Sequence, residues 1–169
     1  TRYARVTEFR RVLFRSATQT EESATTVPVS YSKALQAAET DTLTLPIDKD
    51  GYITIFDGKT FNGWRGYGKD KVPGKWVIED GCIKFNGTGG GEAQDTDGGD
   101  LMFAHKFKNF ELELEWKISK GGNSGILYMA QEITSKDENG NDVLEPIYIS
   151  APEYQVLDNA NHPDRKSVV

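Results

Sequence analysis

The chain has 169 residues, with 26 acidic against 20 basic side chains and a formal net charge of −6. That balance argues against a nucleic-acid partner, whose phosphate backbone calls for a basic footprint. No apolar run approaches the roughly 18 residues of a membrane span, and the single cysteine, Cys82, excludes an internal disulfide.

The two ends differ from the rest. Glu8-Phe9-Arg10-Arg11-Val12-Leu13-Phe14-Arg15-Ser16 is basic and apolar without a strand or helix period, and resembles the conceptual translation of a sequencing-library adapter. Asp164-Arg165-Lys166-Ser167-Val168-Val169 matches a second adapter strand in the same way. Residues 1–16 and 164–169 are therefore expected to be scars of a reading frame cut at both ends, and to stand outside the fold. They hold seven of the 20 Lys and Arg residues, so the remainder is more acidic than the whole. With the native N-terminus expected to be lost, the lack of a signal peptide carries no information.

Residues 17–46 are rich in Thr, Ser and Glu and read as a linker or the tail of a preceding segment, with one helix-compatible run at 32–39. Residues 47–163 are the expected folded part, and from Gly51 onward the texture is all-β. Residues 52–56 form a strand between Asp-Gly turns. Trp76-Val77-Ile78-Glu79 and Cys82-Ile83-Lys84-Phe85 flank Asp80-Gly81, the strongest short hairpin signal, with Cys82 as a small core residue. The stretch 87–91 is glycine-rich but lacks the Lys-Ser/Thr ending of a phosphate loop. Residues 107–119 alternate cleanly: Phe110, Leu112, Leu114, Trp116 and Ile118 on one face, Glu111, Glu113, Glu115 and Lys117 on the other. Gly121-Gly122-Asn123-Ser124-Gly125 turns the chain into a strand at 126–132. A polar loop follows at 136–142, then a short strand at 147–149, a break at Pro152 and a strand at 153–157. Short strands and frequent glycine turns indicate an all-β sandwich or jelly roll. It is expected to be incomplete, since a sheet ending here leaves edges unpaired.

Five motifs carry a family resemblance: Ile55-Phe56-Asp57-Gly58-Lys59-Thr60-Phe61-Asn62-Gly63-Trp64, Trp76-Val77-Ile78-Glu79-Asp80-Gly81, Asn109-Phe110-Glu111-Leu112, Gly122-Asn123-Ser124-Gly125-Ile126, and Glu153-Tyr154-Gln155-Val156-Leu157-Asp158-Asn159 with His162-Pro163. In this order they resemble the DUF1080 family, described as 3-keto-disaccharide or 3-keto-glycoside hydrolases. The resemblance covers 51 to about 163. It implies a concanavalin A-like lectin/glucanase sandwich, a carbohydrate substrate, and a periplasmic or secreted location. Many relatives place an arginine shortly after the Asn-Ser-Gly turn, where this chain has Tyr128, Met129 and Ala130.

The implied chemistry defines what a site must hold. A ketone at C3 of a sugar acidifies the hydrogen on C2. A base removes it, the C1 substituent leaves, and water adds back. Such a site needs a general base, a donor or cation for the enolate oxygen, and an acid for the leaving group, where ordinary glycosidases need two spaced carboxylates. Glu153 is the first candidate for base or acid, with Gln155 beside it as an orienting donor; the alternative is two solvated residues of a half-exposed strand. Asp158 and His162 follow in a loop, where functional groups concentrate, though a lone loop histidine is more often structural or merely exposed. Glu115 is a candidate on a wet sheet face. Asn123 is a candidate for sugar hydroxyls, with shaping the turn as its plainer role. Trp64 is a candidate stacking platform, and Trp116 belongs to the core face. The acidic stretches 48–51, 95–100 and 137–142 read as solvated turns rather than calcium loops. No cofactor is called for, with a divalent cation as the open alternative, and oligomeric state is not legible. The rival to an enzyme is a non-catalytic sugar-binding module, since fold alone does not carry function. A third possibility is a structural domain of a cell-surface assembly. The chain itself is expected to show little activity without the rest of the sheet.

Overall fold

Turn residues cut the chain into short extended pieces. The computed structural model describes residues 7–16, 24–28, 42–86, 97–107 and 110–163. Its strands are β1 (Thr7–Ser16), β2 (Ala24–Pro28), β3 (Thr42–Pro46), β4 (Ile53–Thr54), β5 (Trp64–Gly66), β6 (Trp76–Glu79) and β7 (Cys82–Phe85). They continue as β8 (Leu101–Phe103), β9 (Phe110–Ile118), β10 (Asn123–Leu127), β11 (Thr134–Lys136), β12 (Asp142–Leu144) and β13 (Glu153–Leu157). Among the described residues the one helical element is a 3-10 turn, Ile147–Ile149.

The largest sheet is antiparallel and built around β1. Along one side β1 pairs with β9, from Thr7↔Ile118 to Ser16↔Phe110. Along the other it pairs with β7 and β4, and β7 continues to β6. The β6–β7 hairpin closes as its dipeptide predicts, with Glu79 opposite Cys82. Asp80 at φ 52° and Gly81 at φ 72° are both left-handed, the geometry of a type I′ turn, whose twist matches the flanking strands.

The core is Leu45, Ile53, Ile55, Phe56, Ile83 and Ala104. Burying an isoleucine such as Ile53 or Ile83 contributes about 1.5–3 kcal/mol. From β9, Phe110, Leu112 and Leu114 pack onto this cluster while Glu111, Glu113 and Glu115 face away, so the alternation in the sequence becomes the two faces of the sheet. The pairs β5–β8 and β2–β3 bring Trp64, Leu101, Phe103 and Leu43 to the same core. Cys82 is buried, as expected.

Several elements depart from the sequence reading. Residues 7–16, read as having no strand period, form a ten-residue strand. Their register shifts between Arg10 and Leu13, and an irregularity of that kind breaks the two-residue period by which a strand is recognised. Part of the expected linker is strand β3, and its Leu45 is buried. Trp116 is 42% exposed instead of buried, because β9 runs on past the core cluster, which reaches only to Leu114. The stretch 121–125 is a turn only at its start; Asn123, Ser124 and Gly125 are already strand. That strand ends at Leu127, two residues before Met129 with φ 59°. Residues 147–149 curl into a 3-10 turn after Pro146, with the N–H groups of Ile149 and Ser150 donating to the carbonyls of Pro146 and Ile147. The helix-compatible run at 32–39, the glycine stretch 87–91, Asp95 and Thr96, Asn109 and the tail 164–169 lie outside the described residues.

Candidate functional site

The strand that carries Glu153 pairs antiparallel with β10, and this ribbon assembles the predicted polar group. The register sets Leu127 opposite Glu153, Gly125 opposite Gln155 and Asn123 opposite Leu157. Because strand side chains alternate, Glu153, Gln155 and Asn123 share one face, while Tyr154 and the fully buried Val156 take the other. The Gln155 Nε2 donates to Asn123 Oδ1 and, at 3.0 Å, to the Ser124 carbonyl. Both amide hydrogens of Gln155 are thus turned toward β10, which makes it the holder of Asn123 rather than a donor aimed at a ligand. The Gln155 Oε1 acceptor and the Asn123 Nδ2 donors take no part in these two bonds. Glu153 and Gln155 are exposed.

Below this face, Asp158 clasps the turn that leads into β10. Its Oδ2 accepts the Gly121 N–H at 2.7 Å and the Asn161 amide at 2.7 Å, and its Oδ1 accepts the Ala160 N–H at 3.1 Å. The Gly121 N–H first, then the Asn161 amide, hold its carboxyl below the ordinary carboxylate value. A carboxylate so engaged fixes the loop. His162, placed by the sequence in a polar loop, is 1% exposed, and its backbone N–H donates to the Asp158 carbonyl at 2.9 Å. It lies inside the fold rather than at the surface.

Two predicted residues stand elsewhere. Glu115 is exposed on the outer face of β9, in the large sheet and not on the β10–β13 ribbon. Its neighbour Glu113 accepts the Tyr52 hydroxyl at 3.3 Å, and the Glu111 carboxylate foremost, with burial, pushes that phenol up to about 12. Trp64 is committed to the core: its indole N–H donates to the Ile55 carbonyl at 2.7 Å and its ring meets Phe103 edge-on at 5.4 Å. The acidic stretches at 48–51 and 137–142 shape turns, Asp48 and Asp137 each accepting two backbone N–H groups through Oδ1.

Sequence reading missed the Arg65–Glu132 pair. Arg65 is 1% exposed and grips the Glu132 carboxylate through both nitrogens, at 2.5 and 2.9 Å. Glu132 also accepts the Gly68 N–H at 2.6 Å. Burial pushes the Glu132 carboxyl up, but the Arg65 guanidinium and the Gly68 N–H outweigh it and hold the group below its ordinary value. The signal was an arginine inside the short strand Trp64–Gly66, but nothing local names a partner 67 residues away. The pair binds the segment after Met129 to the 66–71 turn and offers no cation to a ligand. A shallow, open hollow of about 440 Å³, lined by Lys69, Asp70, Lys71, Pro73 and Asp97 among others, holds none of the predicted residues. Among the described residues no three His, Cys, Asp or Glu side chains gather as metal ligands, and no helix is long and apolar enough to cross a membrane.

The described residues are strands and turns apart from one 3-10 turn, and the fold is a sandwich of the concanavalin A-like class. Within that class it belongs to the 3-keto-alpha-glucoside-1,2-lyase-like domain family, whose profile matches residues 51–168. A curated relative, the 3-keto-disaccharide hydrolase of Bacteroides thetaiotaomicron, is 82% identical over 148 residues. The match takes in 88% of this chain and 51% of the relative, so the chain spans about half the length of the relative it matches.

Proposed function

We propose that the full-length protein cleaves 3-keto-glycosides, with Glu153 as the group that removes the C2 proton. The observation that carries this reading is the single face on which the Glu153 carboxylate and the Asn123–Gln155 amide pair are presented together. A carboxylate supplies the base. The Asn123 Nδ2, not used in the bond to Gln155, supplies a donor for the enolate oxygen, where charge develops as the proton leaves. The electron pair of the C2–H bond forms the double bond to C1 and expels the aglycone oxygen, which takes up the proton that Glu153 has accepted and so returns the base to its carboxylate form. Water then adds across that double bond to complete a net hydrolysis. The family membership and the relative's printed name support the substrate class. Asp158 and His162 act in this reading as supports of the ribbon's end, and the periplasm or cell exterior is the proposed location.

Aglycone release from a 3-keto glucoside and from its unoxidised counterpart tests the proposal on the full-length protein. Release from the oxidised substrate alone is expected, with Glu153→Gln reducing it by about a hundredfold or more, the usual worth of a positioned base. Binding without release from either substrate would replace the enzyme by a sugar-binding module. Full rate in Glu153→Gln would remove that residue from the chemistry.

A further inference from the structure

The ribbon contains a slot whose shape depends on one missing side chain. Gly125 lies opposite Gln155, one step along the same face from Glu153. A Cβ at position 125 would stand 1.7 Å from Glu153 Oε1, 2.4 Å from its Cδ and 2.5 Å from its Cγ. No atom pair tolerates that approach, so the carboxylate occupies the volume a side chain would fill. Gly125 is not among the glycines with positive φ, so its backbone is one an alanine adopts without strain. Gly121, four residues earlier, is the reverse case: φ is 68° and nothing lies within 4 Å of its absent Cβ. Gly121 supplies conformational freedom, whereas Gly125 supplies space.

We propose that Gly125 is a positioning residue, whose lack of a side chain seats the Glu153 carboxylate across β10 and fixes the point from which it takes a proton. The inference rests on the reading of Glu153 as the base. A glutamate on an exposed strand has three rotatable bonds and no reason to lie flat unless the surface beneath it is open. An alanine at 125 leaves the fold intact, since the glutamate can swing away, but displaces the carboxylate by more than an ångström. Misplacement on that scale costs about a hundredfold in rate where geometry governs catalysis.

The test is steady-state aglycone release by the full-length protein with a 3-keto glucoside, across pH, for Gly125→Ala, Glu153→Asp and the double variant. Gly125→Ala is expected to keep its melting temperature and KM, lose at least tenfold in kcat, and shift the acidic limb of the kcat/KM profile, because the base has changed surroundings. Glu153→Asp keeps an atom at the Cγ position, 2.5 Å from the new Cβ, so both changes act on the same carboxylate and the loss in the double variant is expected to fall short of the product of the single losses. Wild-type kcat in Gly125→Ala overturns the proposal, as does a fall in kcat with an unmoved acidic limb and single-variant losses that multiply in the double variant. Should Gly125→Ala fail to fold, folding of Gly125→Ala/Glu153→Ala would uphold the contact, and its failure to fold would overturn it. Glu153→Gln at full rate sinks the base assignment and the catalytic part of this inference; the contact is then judged by that folding comparison.

Discussion

Replacing Glu132 by glutamine removes the charge that Arg65 grips while keeping the shape of the side chain. The guanidinium is nine-tenths or more buried and the Glu132 side chain is 19% accessible, so the pair belongs to the interior. Removing one partner of a buried pair costs about 3–5 kcal/mol, because the other charge stays in a poor solvent. Arg65 keeps its bonds to the Gly66 and Lys69 carbonyls at 3.1 and 3.4 Å, which points to the lower end, about 3 kcal/mol. For a chain of this size each kcal/mol moves the melting temperature by about 2–4 °C, so Glu132→Gln should melt about 6–12 °C below wild type at neutral pH. The pH dependence follows from the lowered carboxyl. Its stabilisation is complete above the unfolded value of 4.5 and is lost as pH falls through the lower folded value, so the gap between the two proteins should narrow in acid. Melting followed by circular dichroism at neutral and acid pH reads both effects. A neutral-pH difference under about 2 °C would refute the reasoning, as would a gap that widens in acid.

Asn123→Asp keeps an oxygen for Gln155 but replaces the Nδ2 donors with a carboxylate oxygen; kcat for 3-keto-glycoside cleavage should fall about 10²–10³-fold with the melting temperature little changed, and wild-type kcat would end the donor assignment. Asp158→Ala deletes the acceptor for Gly121, Ala160 and Asn161, so amide exchange at Gly121 and Ala160 should speed up; protection equal to wild type would contradict the clasp. The wild-type clasp itself should hold above the ordinary aspartate value of 3.8 and loosen as pH falls through the lower folded value. Removing residues 1–16 strips partners from β4, β7 and β9 at once, and exposed edges invite association. Size-exclusion chromatography should show aggregation, whereas a monomer of unchanged melting temperature would mean that β1 contributes nothing.

How much was legible depends on how local each feature is. Alternation set the two faces of β9, and Asp80-Gly81 set the β6–β7 hairpin, because both act over a few bonds. Alternation also put Glu153 and Gln155 together and Val156 on the other side. The same rule misread Trp116, since a face says which way a side chain points and not how far the core extends beneath it. The bulge in β1 hid a strand by breaking the very period that would have announced it.

By itself, then, the sequence determined the strand-rich class, the Asp80-Gly81 turn, the faces of β9 and β13 and the motifs that mark the family. Tertiary structure decided which strands meet. Pairing β10 with β13 brought Asn123 to Gln155 and left Gly125 beneath Glu153, across about thirty residues of chain. Folding across 67 residues joined Arg65 to Glu132; it packed Trp64 against the core and left Trp116 exposed beyond the core's edge. The physical reason is that side-chain alternation is a property of one strand, whereas register and burial belong to a pair of strands and to the core between them.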